Sequence, residues 1–127
     1  MSNWTHVAAI VRVDSFRVFS SDKLDFSKVF GKELNYDDMI GRVYYNEDEF
    51  LPIGSEGSLQ MSVWTNPNTS SVAAYTVSIF GDLRDHNDPD AVIEWFKEKC
   101  KLLMIRQATI VVENEQNGHR TWTYFDE

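Results

Sequence analysis

The chain has 127 residues, with 20 acidic and 12 basic side chains and a formal charge of −8 when histidines are neutral. That length suits one domain, and a 43% apolar fraction is enough for a packed core, which excludes a disordered or linker protein. No apolar run approaches the ~18 residues that a membrane-spanning helix needs.

Met1-Ser2-Asn3-Trp4 lacks the basic start and apolar stretch of a secretory signal, so none is expected. A single cysteine, Cys100, has no internal disulfide partner, which fits a reducing compartment and a cytoplasmic setting.

Thr5 to Asp14 reads as a strand with Thr5, Val7, Ala9, Val11 and Val13 on one face and Trp4, His6, Ala8, Ile10 and Arg12 on the other. From about Ser21 the spacing of Phe26, Val29, Phe30 and Leu34 predicts a helix, with Ser20 or Ser21 as N-cap. Gly31 weakens the helix and marks a place for it to stop.

Residues 35–57 form a long acidic and aromatic connection with room for a short strand around Arg42–Tyr45. A connection of that length in a compact domain is often functional or hides a further element.

Ser58 to Thr65 alternates as a strand, Asn66 to Ser71 has turn chemistry, and Val72 to Gly81 resumes as the second arm of a hairpin. Asp82 to Asp88 reads as a polar turn. Asp88-Pro89 then predicts a helix start, with Val92, Phe96, Cys100 and Leu103 as the buried stripe of a helix reaching about Leu103. Ile105 to Glu113 reads as a strand, Asn117-Gly118 as the positive-φ pair of a hairpin turn, and Arg120 to Phe125 as the last strand. The order β-α-ββ-α-β-β predicts an α+β fold of the ferredoxin-like β-α-ββ-α-β type with an added C-terminal antiparallel strand, in one domain spanning residues 1–127.

Two helices can cover only one side of such a sheet. The inward set is expected to be Val7, Ala9, Val11, Leu59, Met61, Val63, Val77, Ile79, Ile110 and Val112. Trp4, His6, Ile10, Gln60, Trp64, Phe80 and Thr109 are left on the open face, joined by either Trp122 and Tyr124 or Thr121 and Thr123. Exposed apolar patches mark interaction sites, so Trp4, His6, Trp64 and Trp122 are candidates for an interface or ligand wall. The acidic connection could cover this face, a second copy could pack on it as a homodimer, or the aromatics could stack a ligand.

The negative charge opposes phosphate backbones and anionic membranes, so neither direct nucleic-acid nor membrane binding is expected. Lys97, Lys99 and Lys101 suit a helix C-terminus.

The catalytic motifs are missing. His6, His86 and His119 have no i, i+4 partner, no Cys-x-x-Cys occurs, and Asp82 to Asp88 lacks Ca²⁺-loop spacing, so no metal or cofactor is expected. Gly54-Ser55-Glu56-Gly57 has neither a Walker lysine nor a nucleophile elbow. Cys100 on the helix stripe reads as a packing thiol, and adjacent Asp37 and Asp38 read as solvated carboxylates. The balance points to a non-enzymatic protein.

Asn3-Trp4-Thr5-His6-Val7 running into Ile10-Val11-Arg12-Val13-Asp14, with Gly54-Ser55-Glu56-Gly57 ahead of a strand, resembles small uncharacterised phage and prophage proteins of ferredoxin-like fold. The resemblance implies a phage-borne origin and a host cytoplasm.

The expected function is therefore protein–protein contact, as a phage-encoded inhibitor of a host nucleic-acid-handling or defence protein. Asp37, Asp38, Tyr44, Tyr45, Glu47, Asp48 and Glu49 would present carboxylates and aromatic anchors to a basic partner. The alternative is a nucleotide-like small-molecule binder that uses Trp4, His6, Trp64 and Trp122 as stacking walls.

Overall fold

The structure is a computed structural model that describes residues 2–16, 25–33, 50–65, 72–86 and 88–125. Its elements are β1 (Trp4–Phe16), α1 (Phe26–Phe30), β2 (Gln60–Thr65), β3 (Val72–Arg84), α2 (Pro89–Cys100), β4 (Ile105–Asn114) and β5 (Gly118–Phe125). The five strands form one open antiparallel sheet in the order β2-β3-β1-β4-β5. The expected α+β class is what the described residues build. The expected Arg42–Tyr45 strand and the Ser20 or Ser21 cap lie outside those residues.

Alternation decides the layers. Val7, Ala9, Val11 and Val13 of β1, Val77, Ile79 and Leu83 of β3, and Ala108, Ile110 and Val112 of β4 are all buried on one face. Phe26 and Phe30 of α1, Val92, Ile93, Phe96 and Cys100 of α2, and Leu51 and Leu59 complete the core with them. Each such side chain removed from water contributes roughly 1.5–3 kcal/mol before entropy is set against it. Phe96 is central, stacked 6.2 Å from Phe30 and edge-on to Trp122 at 5.8 Å.

Val63, expected inside, is 44% exposed. It lies on edge strand β2, which has a neighbour on one side only. Met61 is half-buried against the core.

Asp25 caps α1, accepting from the Ser27 backbone N–H at 3.0 Å and the Ser27 hydroxyl at 2.6 Å. The helix ends at Gly31, whose φ of 112° favours glycine. A Cβ there would come within 2.5 Å of the Phe50 backbone, because the Leu51 N–H donates to the Lys32 carbonyl at 2.9 Å beside it.

At the start of α2 the Asp88 carboxylate accepts from the backbone N–H groups of Asp90 and Ala91, with Pro89 in the first turn as expected. The helix closes at Cys100, three residues before Leu103. The N–H groups of Leu102 and Leu103 turn back to the carbonyls of Lys99 and Cys100, which tightens the chain out of α-geometry.

β3 continues past Gly81 to Arg84, through residues whose polarity reads as a turn. Asp82, Leu83 and Arg84 pair with His6, Thr5 and Trp4, and Leu83 is fully buried. Where β3 ends, the Asn114 amide donates to the Thr5 hydroxyl at 2.8 Å, and that hydroxyl donates to the His86 carbonyl. Asn114 also accepts from the N–H groups of Gln116 and Asn117, so one buried side chain ties β1, the approach to α2 and the last hairpin turn together.

Candidate functional site

Residues paired across an antiparallel sheet project to the same side, so the register lays out the face opposite the helices in rows. One middle row is Gln60, Phe80, Ala8, Val111 and Thr121; the next is Ser62, Ser78, Ile10, Thr109 and Thr123. Neither row holds a charged side chain. Ile10 is 54% exposed, Phe80 44% and Val111 40%. Thr109 and Thr123 share a hydrogen bond at 3.1 Å across the β4–β5 pair.

Charge collects in the rows beyond these, toward the two ends of the strands. Toward one end lie Asp82, His6, Glu113 and His119 side by side. His6 Nδ1 and Asp82 Oδ1 are 2.7 Å apart. The hydrogen bond with Asp82 raises the His6 pKa above its ordinary value, with desolvation opposing it and the charges of Asp82, Glu115 and Glu113 adding to it. Toward the other end, Trp64, Thr76, Arg12, Gln107 and Phe125 form a row in which Trp64 is 56% exposed. Arg12 pairs with Asp14 at 3.1 Å there.

The four aromatic and histidine candidates do not converge. Trp4 and His6 lie on the open face at one end, and Trp64 lies on it at the level of Arg12. Eight residues of strand from Trp4 to Arg12 span about 27 Å, too far for one small ligand to touch both tryptophans.

Trp122 is not on this face at all. It pairs with inward-facing Ile110 and packs edge-on against Phe96, so Thr121 and Thr123 are the β5 residues that join the open side. The acidic candidates Asp37, Asp38, Tyr44, Tyr45, Glu47, Asp48 and Glu49 lie outside the described residues.

Two clefts flank the helix side, and residue spacing gave no sign of either. The first, about 650 Å³, is lined by Phe50, Pro52, Ile53, Gly54, Ser55, Asp85, His86 and the α2 residues Ala91, Val92 and Trp95. Gly54 to Gly57 is a tight turn docked on the end of β3, with the Ser55 N–H donating to the Arg84 carbonyl at 2.8 Å and the Arg84 N–H donating to the Glu56 carbonyl at 3.0 Å. Gly57 has a φ of 79°, and a Cβ there would strike the Asp82 carbonyl oxygen. This turn presents Ser55 to Asp85, whose carboxylate accepts from the Ser55 hydroxyl at 3.0 Å and from the Asn3 N–H at 3.3 Å. Those bonds, the Ser55 hydroxyl foremost, hold the Asp85 pKa below its ordinary value.

The second cleft, also about 650 Å³, lies between the end of α2 and β4–β5, with Cys100, Met104, Ile105, Trp122 and Tyr124 among its walls. Its cations are engaged: Lys97 with Glu94, Lys101 with Glu98 and Arg106 with Asp14. Burial pushes the Cys100 thiol up to about 12, which leaves it protonated and a poor nucleophile.

Among the described residues no group of three or more His, Cys, Asp or Glu side chains gathers to hold a metal, and no helix is long and apolar enough to cross a membrane. Comparison with known proteins gives no match: no family model fits the chain, and no curated protein or solved structure matches it.

Proposed function

We propose that this chain is a non-enzymatic, acidic binding protein that acts by protein–protein contact, with its open sheet face closed by a second copy of itself. The observation that carries this reading is the pair of uncharged middle rows. A solvated sheet face is mostly polar, whereas the centre of a protein interface is depleted of charge and rimmed by polar groups. Ile10, Phe80 and Val111 supply the apolar centre, and Ser62, Ser78, Thr109 and Thr123 flank it with small hydroxyls.

A two-fold axis that reverses the strands sets the uncharged rows of the two copies against each other and keeps their Asp82–Glu113 ends apart, which avoids like-charge repulsion.

The excess of acidic over basic side chains remains on the outside of such a dimer, where it suits a basic partner. Phage origin makes that partner a host nucleic-acid-handling or defence protein whose cationic surface the carboxylates occupy. The buried free thiol of Cys100 fits a reducing, cytoplasmic setting.

The finer fold reading belongs to the same proposal. β3 lies between β2 and β1 and is antiparallel to both, as in a split β-α-β unit; β5 and the five-residue α1 are where the chain departs from a four-stranded ferredoxin-like frame.

Oligomeric mass tests the proposal. The wild-type chain is expected to sediment as a dimer of two 14.7 kDa subunits, and Ile10→Lys with Val111→Lys as a folded monomer. A wild-type monomer, or a dimer indifferent to both lysines, would overturn it.

A further inference from the structure

The cleft between the Phe50–Ser55 segment and α2 is walled by two rings that each carry a polar atom without a partner among the described residues. His86 Nδ1 and Trp95 Nε1 are buried and have no hydrogen-bond partner among the described residues, and both rings line the cleft. A buried donor or acceptor left unpaired costs free energy, and native proteins pair nearly all of them. The volume, about 650 Å³, is in the range of small-molecule sites, and the walls combine the aromatic Phe50 and Trp95 with aliphatic Ile53 and Val92.

We propose that this cleft binds a small, neutral heteroaromatic lactam: a flat ring carrying a carbonyl beside a ring N–H. The Trp95 indole N–H only donates, so the ligand must offer an acceptor, which the carbonyl supplies. His86 Nδ1 accepts or donates according to the tautomer of its ring, and the ligand's ring N–H offers it a hydrogen to accept. Aromatic walls favour an aromatic ring.

Charge selects against anions. Asp85 lies in the wall, and Asp88 and Asp90 begin the helix that forms one side. Arg84, next to Asp85 in the chain, is already paired with Glu56. A phosphorylated form of the same ring therefore meets the Asp85 carboxylate in the wall of the cleft. This site is independent of the sheet face and of self-association.

The experiment titrates uracil and hypoxanthine, and separately their nucleoside monophosphates, into the ¹⁵N-labelled chain and follows the four indole N–H signals. The Trp95 signal, identified by its loss in Trp95→Phe, is expected to move saturably with a lactam while that of Trp64 stays still. Trp95→Phe should weaken binding about tenfold, the effect of one lost buried hydrogen bond. Ala91→Trp fills the cleft from the exposed surface of α2, and should abolish the response while the rest of the spectrum keeps its fold. The monophosphates should bind more weakly than the bare rings.

A Trp95 signal that neither lactam moves at millimolar concentration would overturn the assignment. So would monophosphates that bind as tightly as the bare rings, or a titration unchanged by Ala91→Trp.

Discussion

Trp122 stands edge-on to Phe96 with their ring centroids 5.8 Å apart, and this contact fixes which face of β5 turns inward. Phe96 also stacks on Phe30, so one buried ring joins α1, α2 and the last strand. Phe96→Ala is expected to destabilise the chain by about 3–5 kcal/mol, the loss of a core phenyl plus the cavity it leaves. Urea denaturation checks this. The same variant should loosen β5, seen as faster amide exchange from Gly118 to Phe125 than in β1.

Opposite signs of linkage set the pH profile. The His6 pKa is raised by its hydrogen bond to Asp82, so its stabilisation is complete below the ordinary value of 6.5 and is lost as pH rises through the folded value. Asp25, Asp85 and Glu98 are lowered, chiefly by the Ser27 hydroxyl, the Ser55 hydroxyl and Lys101 respectively. Their stabilisation is complete above the ordinary carboxylate values near 4 and is lost as pH falls through the folded ones. Stability should therefore be greatest between about pH 5 and 6. The changes on either side should be small, because these groups are exposed and screened by solvent. Denaturation midpoints across that range test this, and His6→Ala should remove the decline on the alkaline side alone.

Cys100 is 3% exposed, and burial raises its thiol pKa to about 12. The folded chain should resist alkylation by iodoacetamide at neutral pH for as long as it stays folded, and react once unfolded in urea. Mass spectrometry reads both states. Rapid labelling of the folded protein would show that the floor of the second cleft is open.

Much of the frame was legible because period and punctuation agreed. The alternation of Val7, Ala9, Val11 and Val13 specified the buried side of β1, and Asp88-Pro89 specified the start of α2. What misled was local polarity overruled by pairing. Asp82 and Arg84 read as a turn, yet their backbones complete a ladder with His6 and Trp4 while Leu83 between them fills the core.

The parity of β5 could not be read from its own alternation. Trp122-Tyr124 and Thr121-Thr123 both suit a half-buried strand, and the decision lies in the distant ring of Phe96. The first cleft was hidden for the same reason: Ser55, His86 and Trp95 are far apart in the chain, and no spacing rule joins them. Of the predicted open-face candidates, Trp4, His6 and Trp64 share that face, but the length of the strands keeps Trp64 from the other two.

The central claim is that the uncharged rows of the open face meet a second copy. The most direct measurement is an isotope-filtered NOE experiment on a mixture of labelled and unlabelled chains, which registers only contacts between copies. The account predicts cross-copy NOEs from the methyl groups of Ile10 and Val111 to the open-face residues of the other copy, Phe80 among them. Cross-copy NOEs confined to Leu102 and Met104, or none while those methyls stay in contact with water, would contradict it.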